Sequence, residues 1–199
     1  VVQPDGTLLV CDVAWGRILR VSTRGRFEVV CRYDGAPNGL ARDASGVIWI
    51  ADFLHGILRW TPGDDEPQVV LSGPALEPFM GVNDLCFGPD GWLYFTDQGE
   101  TGLHDPSGRL YRWRRDAGLQ VLLSGVPSPN GLCLVGPHTA LVAATRDNAV
   151  WRVPFNERGD VRKVGRFLIL SGGTGPDGLA ANGLGLIAER ARLMQALPR

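Results

Sequence analysis

GVNDLCFGPDGWLYFTD, residues 81–97, holds two short apolar runs separated by a Pro-Asp-Gly turn, and the second run ends in Asp97. That is the pattern of two antiparallel strands joined by a tight turn. Strand starts usually carry residues that pack. Here an amide and a carboxylate, Asn83 and Asp84, open the first strand, and the rest of the chain explains why.

Three other segments align with this one. They are PNGLARDASGVIWIAD from Pro37, PNGLCLVGPHTALVAAT from Pro129 and PDGLAANG from Pro176. The polar residue after the first position is Asn38, Asn83, Asn130 and Asp177, at successive spacings of 45, 47 and 47 residues. A period of roughly 40–50 residues is that of a four-stranded propeller blade. Each repeat reads as four strands. A short one follows the Asn or Asp, a β-branched and aromatic one follows the DASG or GPDG turn, a third lies at GILRW, GRLYRWR or NAVWRVPF, and a fourth at PQVVL, LQVLL or GRFLIL. Glycine (27) and proline (14) are spread along the whole chain, as many short strands require. The fold expected is therefore all-β, a propeller of four-stranded antiparallel blades over residues 1–183.

The two ends depart from the repeat. Asn38 to Asp52 and Asn83 to Asp97 each span 14 residues, so PDGTLLVCD, ending in Asp12, is a second strand. Its inner partner would begin before Val1, and the chain reads as starting inside a blade. At the other end, residues 184–199 form a divergent tail in which AERARLMQAL has a helical pattern. About three whole blades and parts of two more are expected.

Composition narrows the function classes. Apolar residues make up 44% and charged residues 21%, ordinary for a globular domain. A net charge of −1 gives no field to gather nucleic acid or an anionic membrane, and no apolar run approaches membrane-spanning length. No signal-peptide pattern opens the chain, which points to a cytoplasmic location. Cys11, Cys31, Cys86 and Cys133 lack metal or C-x-x-C spacing and are expected as small buried residues. His55, His104 and His138 sit beside Gly or Pro in turns, without ligand spacing.

In a propeller the innermost strands line a central channel, so Asn38, Asn83, Asn130 and Asp177 would meet at one mouth of it. Carboxamide and carboxylate oxygens are hard ligands suited to Ca²⁺, Mg²⁺ or Mn²⁺. One Pro-Asn-Gly alone would be read as a turn; four copies at one blade position favour a site. Asp5 and Asp90 lie in turns between first and second strands and are given only a turn role. Small residues recur three positions after each polar one, at Ala41, Cys86, Cys133 and Ala180.

These motifs, in this order and spacing, resemble the gluconolactonase and senescence-marker-protein (regucalcin)-like six-bladed propellers, from residue 1 to about 180. The resemblance implies one divalent cation, Ca²⁺ foremost with Zn²⁺, Mn²⁺ or Mg²⁺ as alternatives, and hydrolysis of a small-molecule lactone. It makes Asn130 and Asp177 direct ligands, with Asp177 also orienting or deprotonating the attacking water. Asn83 becomes the nearby Asn that contacts bound water or substrate. Asn38 and Asp84 are further substrate-contact candidates. The family's ligand Glu would fall before Val1. The Arg that some members carry near the Asn-Asp pair is not matched, since Gly81 and Val82 precede Asn83, so aldonolactone specificity is not implied. Asp52, Asp97 and Glu100 rank second. A non-catalytic calcium-binding propeller and a protein-interaction propeller stand as the alternatives.

Overall fold

The computed structural model describes residues 1–181 and 187–189. The chain divides into two compact units, Val1–Leu85 and Cys86–Arg199. Among the described residues no helix is long and apolar enough to cross a membrane.

The first unit opens with a sheet of three strands, β1 (Leu8–Asp12), β2 (Arg17–Val21) and β3 (Phe27–Arg32), in the order β1-β2-β3. Val2 forms an antiparallel bridge with Leu8, so the first residues lie along the free edge of β1 where an inner strand is expected. The second sheet holds β4 (Pro37–Arg42), β5 (Ile48–Asp52), β6 (Gly56–Trp60) and β7 (Gln68–Leu71) in sequence order. Side chains alternate between the two faces of a strand, and both faces of β5 are covered, so all five of its residues are buried. Leu9, Ile18 and Cys31 of the first sheet pack against Ile48, Ile50, Leu58 and Trp60 of the second. The outer strands β3 and β7 stay largely exposed.

The third sheet is β8 (Val82–Phe87), β9 (Leu93–Asp97), β10 (Gly108–Arg114) and β11 (Gly118–Val126), and the division between units falls inside β8. The fourth is β12 (Pro129–Leu134), β13 (Thr139–Ala144), β14 (Ala149–Pro154) and β15 (Gly165–Ile169). Trp92, Tyr94, Leu110 and Leu122 pack against Leu132, Val142, Val153 and Phe155 to form the main core of the second unit. Burying aromatic and branched side chains completely stabilises by about 1.5–3 kcal/mol each. Arg112 caps this core with its guanidinium 4.2 Å above the Trp92 ring. The last sheet pairs β16 (Leu179–Ala181) with β17 (Ile187–Glu189). Ala188 and Glu189, the start of the stretch expected to be helical, are thus in a strand. The remainder of that stretch lies outside the described residues.

The strands expected from the repeat are all present, and so are the turns. Asp43 accepts hydrogen bonds from the Ser45 and Val47 amides and from the Trp49 indole at 2.9 Å. Asp90 accepts from the Trp92 amide and the Tyr94 hydroxyl, and Asp5 from the Thr7 amide and hydroxyl. Each carboxylate closes its own turn, the role the sequence assigns to Asp5 and Asp90.

Candidate functional site

The expected site residues sit where inner strands begin. Asn38 is the second residue of β4, Asn83 of β8 and Asn130 of β12; all three are half-buried. Asp177 precedes β16 and is exposed. The register shows how the Asn side chains are presented. Pro37 faces Asp52 and Gly39 faces Ala51, so Asn38 has no opposite number. Pro129 faces Ala144 and Leu132 faces Val142, so Asn130 and Gly131 stand against Ala143 alone. Each is a β-bulge, which turns a side chain out of the ladder.

The glycine after each Asn has a different task from the turn that Asn-Gly suggests. In the first unit a Cβ on Gly39 would lie 2.7 Å from Asp84 Oδ1 and 3.0 Å from Asn83 O. In the second, a Cβ on Gly131 would lie 2.5 Å from Asp177 O and 2.7 Å from Gly178 Cα. Both glycines let the next inner strand pass against bare backbone. The first unit thereby brings β4 beside Asn83 and Asp84. The second brings Asn130 beside Asp177, and the Gly131 amide donates to Asp177 O at 3.0 Å.

Main chain and side chain then divide the work. Asn130 O accepts from the Thr96 hydroxyl at 2.7 Å, and Pro176 O accepts from the Thr145 hydroxyl at 2.7 Å. The side-chain oxygens of Asn130 and Asp177 form no hydrogen bond or ion pair with other described residues. A carboxamide and a carboxylate held by their backbones and open at their side chains match the hard oxygen donors a divalent cation takes. Among the described residues no group of three or more His, Cys, Asp or Glu could hold a metal, so such a site would be rich in amide oxygens.

The second-rank carboxylates separate. Asp52 is fully buried and accepts from the Tyr33 hydroxyl at 2.8 Å and from the amides of Ala36, Leu54 and His55. It ties the end of β5 to two loops. Burial, with Asp52 beside it, holds the Tyr33 phenol protonated far above the usual tyrosine range. Asp97 is fully buried opposite Arg109, whereas Glu100 is exposed. None of the four cysteines is in a disulfide. Cys31 and Cys133 are buried as expected, while Cys11 and Cys86 are half-buried. Cys86 and Cys133 line a cavity of about 370 Å³ with Phe87, Pro89 and Leu134, toward the far ends of β8 and β12 from Asn130.

A family model described as the SMP-30/gluconolactonase/LRE-like region matches residues 1–188. The chain belongs to this family. A curated gluconolactonase of Zymomonas mobilis is 29% identical over an alignment of 134 residues that covers 61% of this chain and 38% of that protein. The chain therefore matches well under half the length of that relative. A solved structure described as a gluconolactonase superposes with a TM-score of 0.83 at 26% identity, covering 96% of this chain and 69% of the other. Regucalcin of Agrobacterium tumefaciens, described as a calcium-binding protein, superposes with a TM-score of 0.74 at 22% identity, covering 93% and 63%. The four-stranded sheets of this chain are thus blades of the SMP-30/gluconolactonase β-propeller. Neither the bulges nor Thr96, Thr145 and the two glycines were found from the sequence. The one available signal was the repeated Asn-Gly, which also describes a turn.

Proposed function

We propose that the chain hydrolyses a small-molecule lactone at the Asn130–Asp177 end of its inner strands, with a divalent cation. The observation that carries this is the pairing of Asn130 and Asp177, whose backbones are joined by the Gly131 amide while their side-chain oxygens bond to no other described residue. The family supports lactone hydrolysis as the reaction class. The carboxamide oxygen of Asn130 and the carboxylate of Asp177 would hold the cation, with Ca²⁺ favoured by the hard donors and by the calcium-binding neighbour. When bound, such a cation supplies Lewis-acid polarisation of the ester carbonyl.

The protein's own groups do the rest. Asp177, exposed to solvent, can accept a hydrogen bond from a water molecule and take its proton as the water adds to the carbonyl carbon. The proton then passes to the ring oxygen as the C–O bond opens, which gives the hydroxy acid. Asn38, Asn83 and Asp84, which the close approach at Gly39 brings together within the first unit, are the substrate-contact candidates. Carboxamides can donate to and accept from substrate hydroxyls, and Asp84 can accept from one.

The test is hydrolysis of simple lactones with added Ca²⁺, Mn²⁺ or Zn²⁺, beside calorimetric metal titration, on wild type, Asn130→Ala and Asp177→Ala. Activity that needs metal and falls by more than tenfold in both variants supports the reading. Metal binding without hydrolysis supports the non-catalytic calcium-binding alternative instead. Hydrolysis that is unchanged in both variants refutes the site.

A further inference from the structure

Two sets of hydrogen bonds in the second unit hold the backbones that carry Asn130 and Asp177. Thr96, fully buried on β9, donates its hydroxyl to Asn130 O at 2.7 Å. The Gln98 side chain donates to Ser128 Oγ at 2.7 Å, and the Ser128 amide donates to Thr101 Oγ1 at 3.0 Å. Ser128 is buried with a φ of +56°, a conformation a non-glycine residue holds only when its surroundings impose it. Ser128 O in turn accepts from the Thr145 amide at 3.0 Å, and the Thr145 hydroxyl donates to Pro176 O at 2.7 Å. Gly175, at φ +92°, lies so close that a Cβ would stand 2.8 Å from the Thr145 carbonyl carbon. Asp177 is therefore carried on a segment pressed against Thr145, and Asn130 on one pegged by Thr96.

We propose that Thr96 and Thr145 are positioning residues that fix the backbones carrying Asn130 and Asp177 through the carbonyls of Asn130 and Pro176. This rests on the reading of Asn130 and Asp177 as metal ligands given above. Valine has nearly the shape of threonine and at least its strand propensity. At the fully buried Thr96 a hydroxyl would be a net cost unless its hydrogen bond were made, so threonine there is explained by the bond, and the half-buried Thr145, at the start of a 3-10 turn, makes the equivalent bond to Pro176 O. That bond acts where it matters. Asn130 lies in a bulge, where the ladder does not fix the backbone. Asp177 lies before its strand begins, where there is no ladder at all. Each site receives from a threonine the restraint that its own sheet omits.

Calorimetric titration of the full chain with CaCl₂ and MnCl₂, paired with urea denaturation, tests this on Thr96→Val, Thr96→Ser, Thr145→Val and Thr145→Ser. The valine variants keep the packing and lose the bond, and they should weaken metal binding by about tenfold, the lower end of what outer partners of a metal site contribute. The serine variants keep the bond and lose a methyl group. They should bind within about twofold of wild type even where they are less stable. Affinity should thus fall in the valine variants and hold in the serine variants whatever their stabilities, which a purely structural role would not produce. Asn130→Ala and Asp177→Ala serve as references. If both bind metal like wild type, the ligand assignment fails, and the positioning role falls with it. If both lose binding but the valine variants retain it, or the serine variants fail to restore it, the positioning role alone is overturned. Should Thr96→Val not fold, Thr145→Val decides on the same criterion.

Discussion

Gly131→Ala adds one methyl group at the point where two inner strands of the second unit cross. The new Cβ would stand 2.5 Å from Asp177 O, 2.7 Å from Gly178 Cα and closer still to the Leu179 amide nitrogen. These are backbone atoms, so no side-chain rotation relieves the overlap and one strand must move. Forcing a methyl group into a packed site costs about 1–3 kcal/mol. Moving the strands also lengthens the 3.0 Å bond from the Gly131 amide to Asp177 O, worth about 1 kcal/mol. Against this, alanine restricts the unfolded chain and returns about 0.4–1 kcal/mol. The net expectation is a loss of about 2–3 kcal/mol. For a chain of this size that corresponds to a fall of roughly 4–12 °C in Tm. Urea denaturation followed by circular dichroism measures it, with Gly165→Ala as the control, because a Cβ there meets nothing within 4 Å. The control should stay within about 1 kcal/mol of wild type. A Gly131→Ala protein as stable as the control would refute the close approach of β12 to the Asp177 segment.

Three further outcomes are expected. Asp52→Ala strands a part-buried hydroxyl and three amides that now share one fully buried carboxylate, and it should lower stability by about 2–3 kcal/mol in urea denaturation; a loss under 1 kcal/mol would contradict the capping role. Acid should destabilise the fold through depressed carboxylates. Hydrogen bonds from Thr7 hold Asp5 at about 2 against 3.8 unperturbed, and the Arg166 guanidinium lowers Asp147. Groups depressed on folding contribute stability above their unfolded value and lose it as pH falls through the folded one. The urea midpoint should therefore drop between about pH 4 and pH 2, and Asp147→Asn should flatten that drop. Burial, with Glu66 adding to it, pushes the Cys31 thiol up to about 11. Iodoacetamide at pH 8 should therefore leave Cys31 unmodified in the folded protein and label it after unfolding, as peptide mass spectrometry would show.

Much of the fold was legible because its signals are local. The turn carboxylates Asp5, Asp43 and Asp90 close their turns through bonds to residues two to six positions away. A repeat near 46 residues needs nothing beyond self-similarity. The same register located Asn38, Asn83, Asn130 and Asp177. It could not say that three of these lie inside strands while Asp177 lies ahead of its own.

Strand order, turn chemistry and the places where polar residues interrupt the pattern follow from the amino-acid sequence alone, because alternation and turn preference act within a few residues. Tertiary structure decided which backbone each inner strand meets. Gly131 reads as half of a turn dipeptide until Asp177 O is found against it. Thr96 reads as one more β-branched strand residue until its hydroxyl reaches Asn130, 34 residues further along the chain. Asp52 reads as a candidate acid until four donors converge on it from two loops. Contacts between segments so far apart leave no periodic trace in a single chain. They come into being only when the sheets stack and bury the groups that must then find partners.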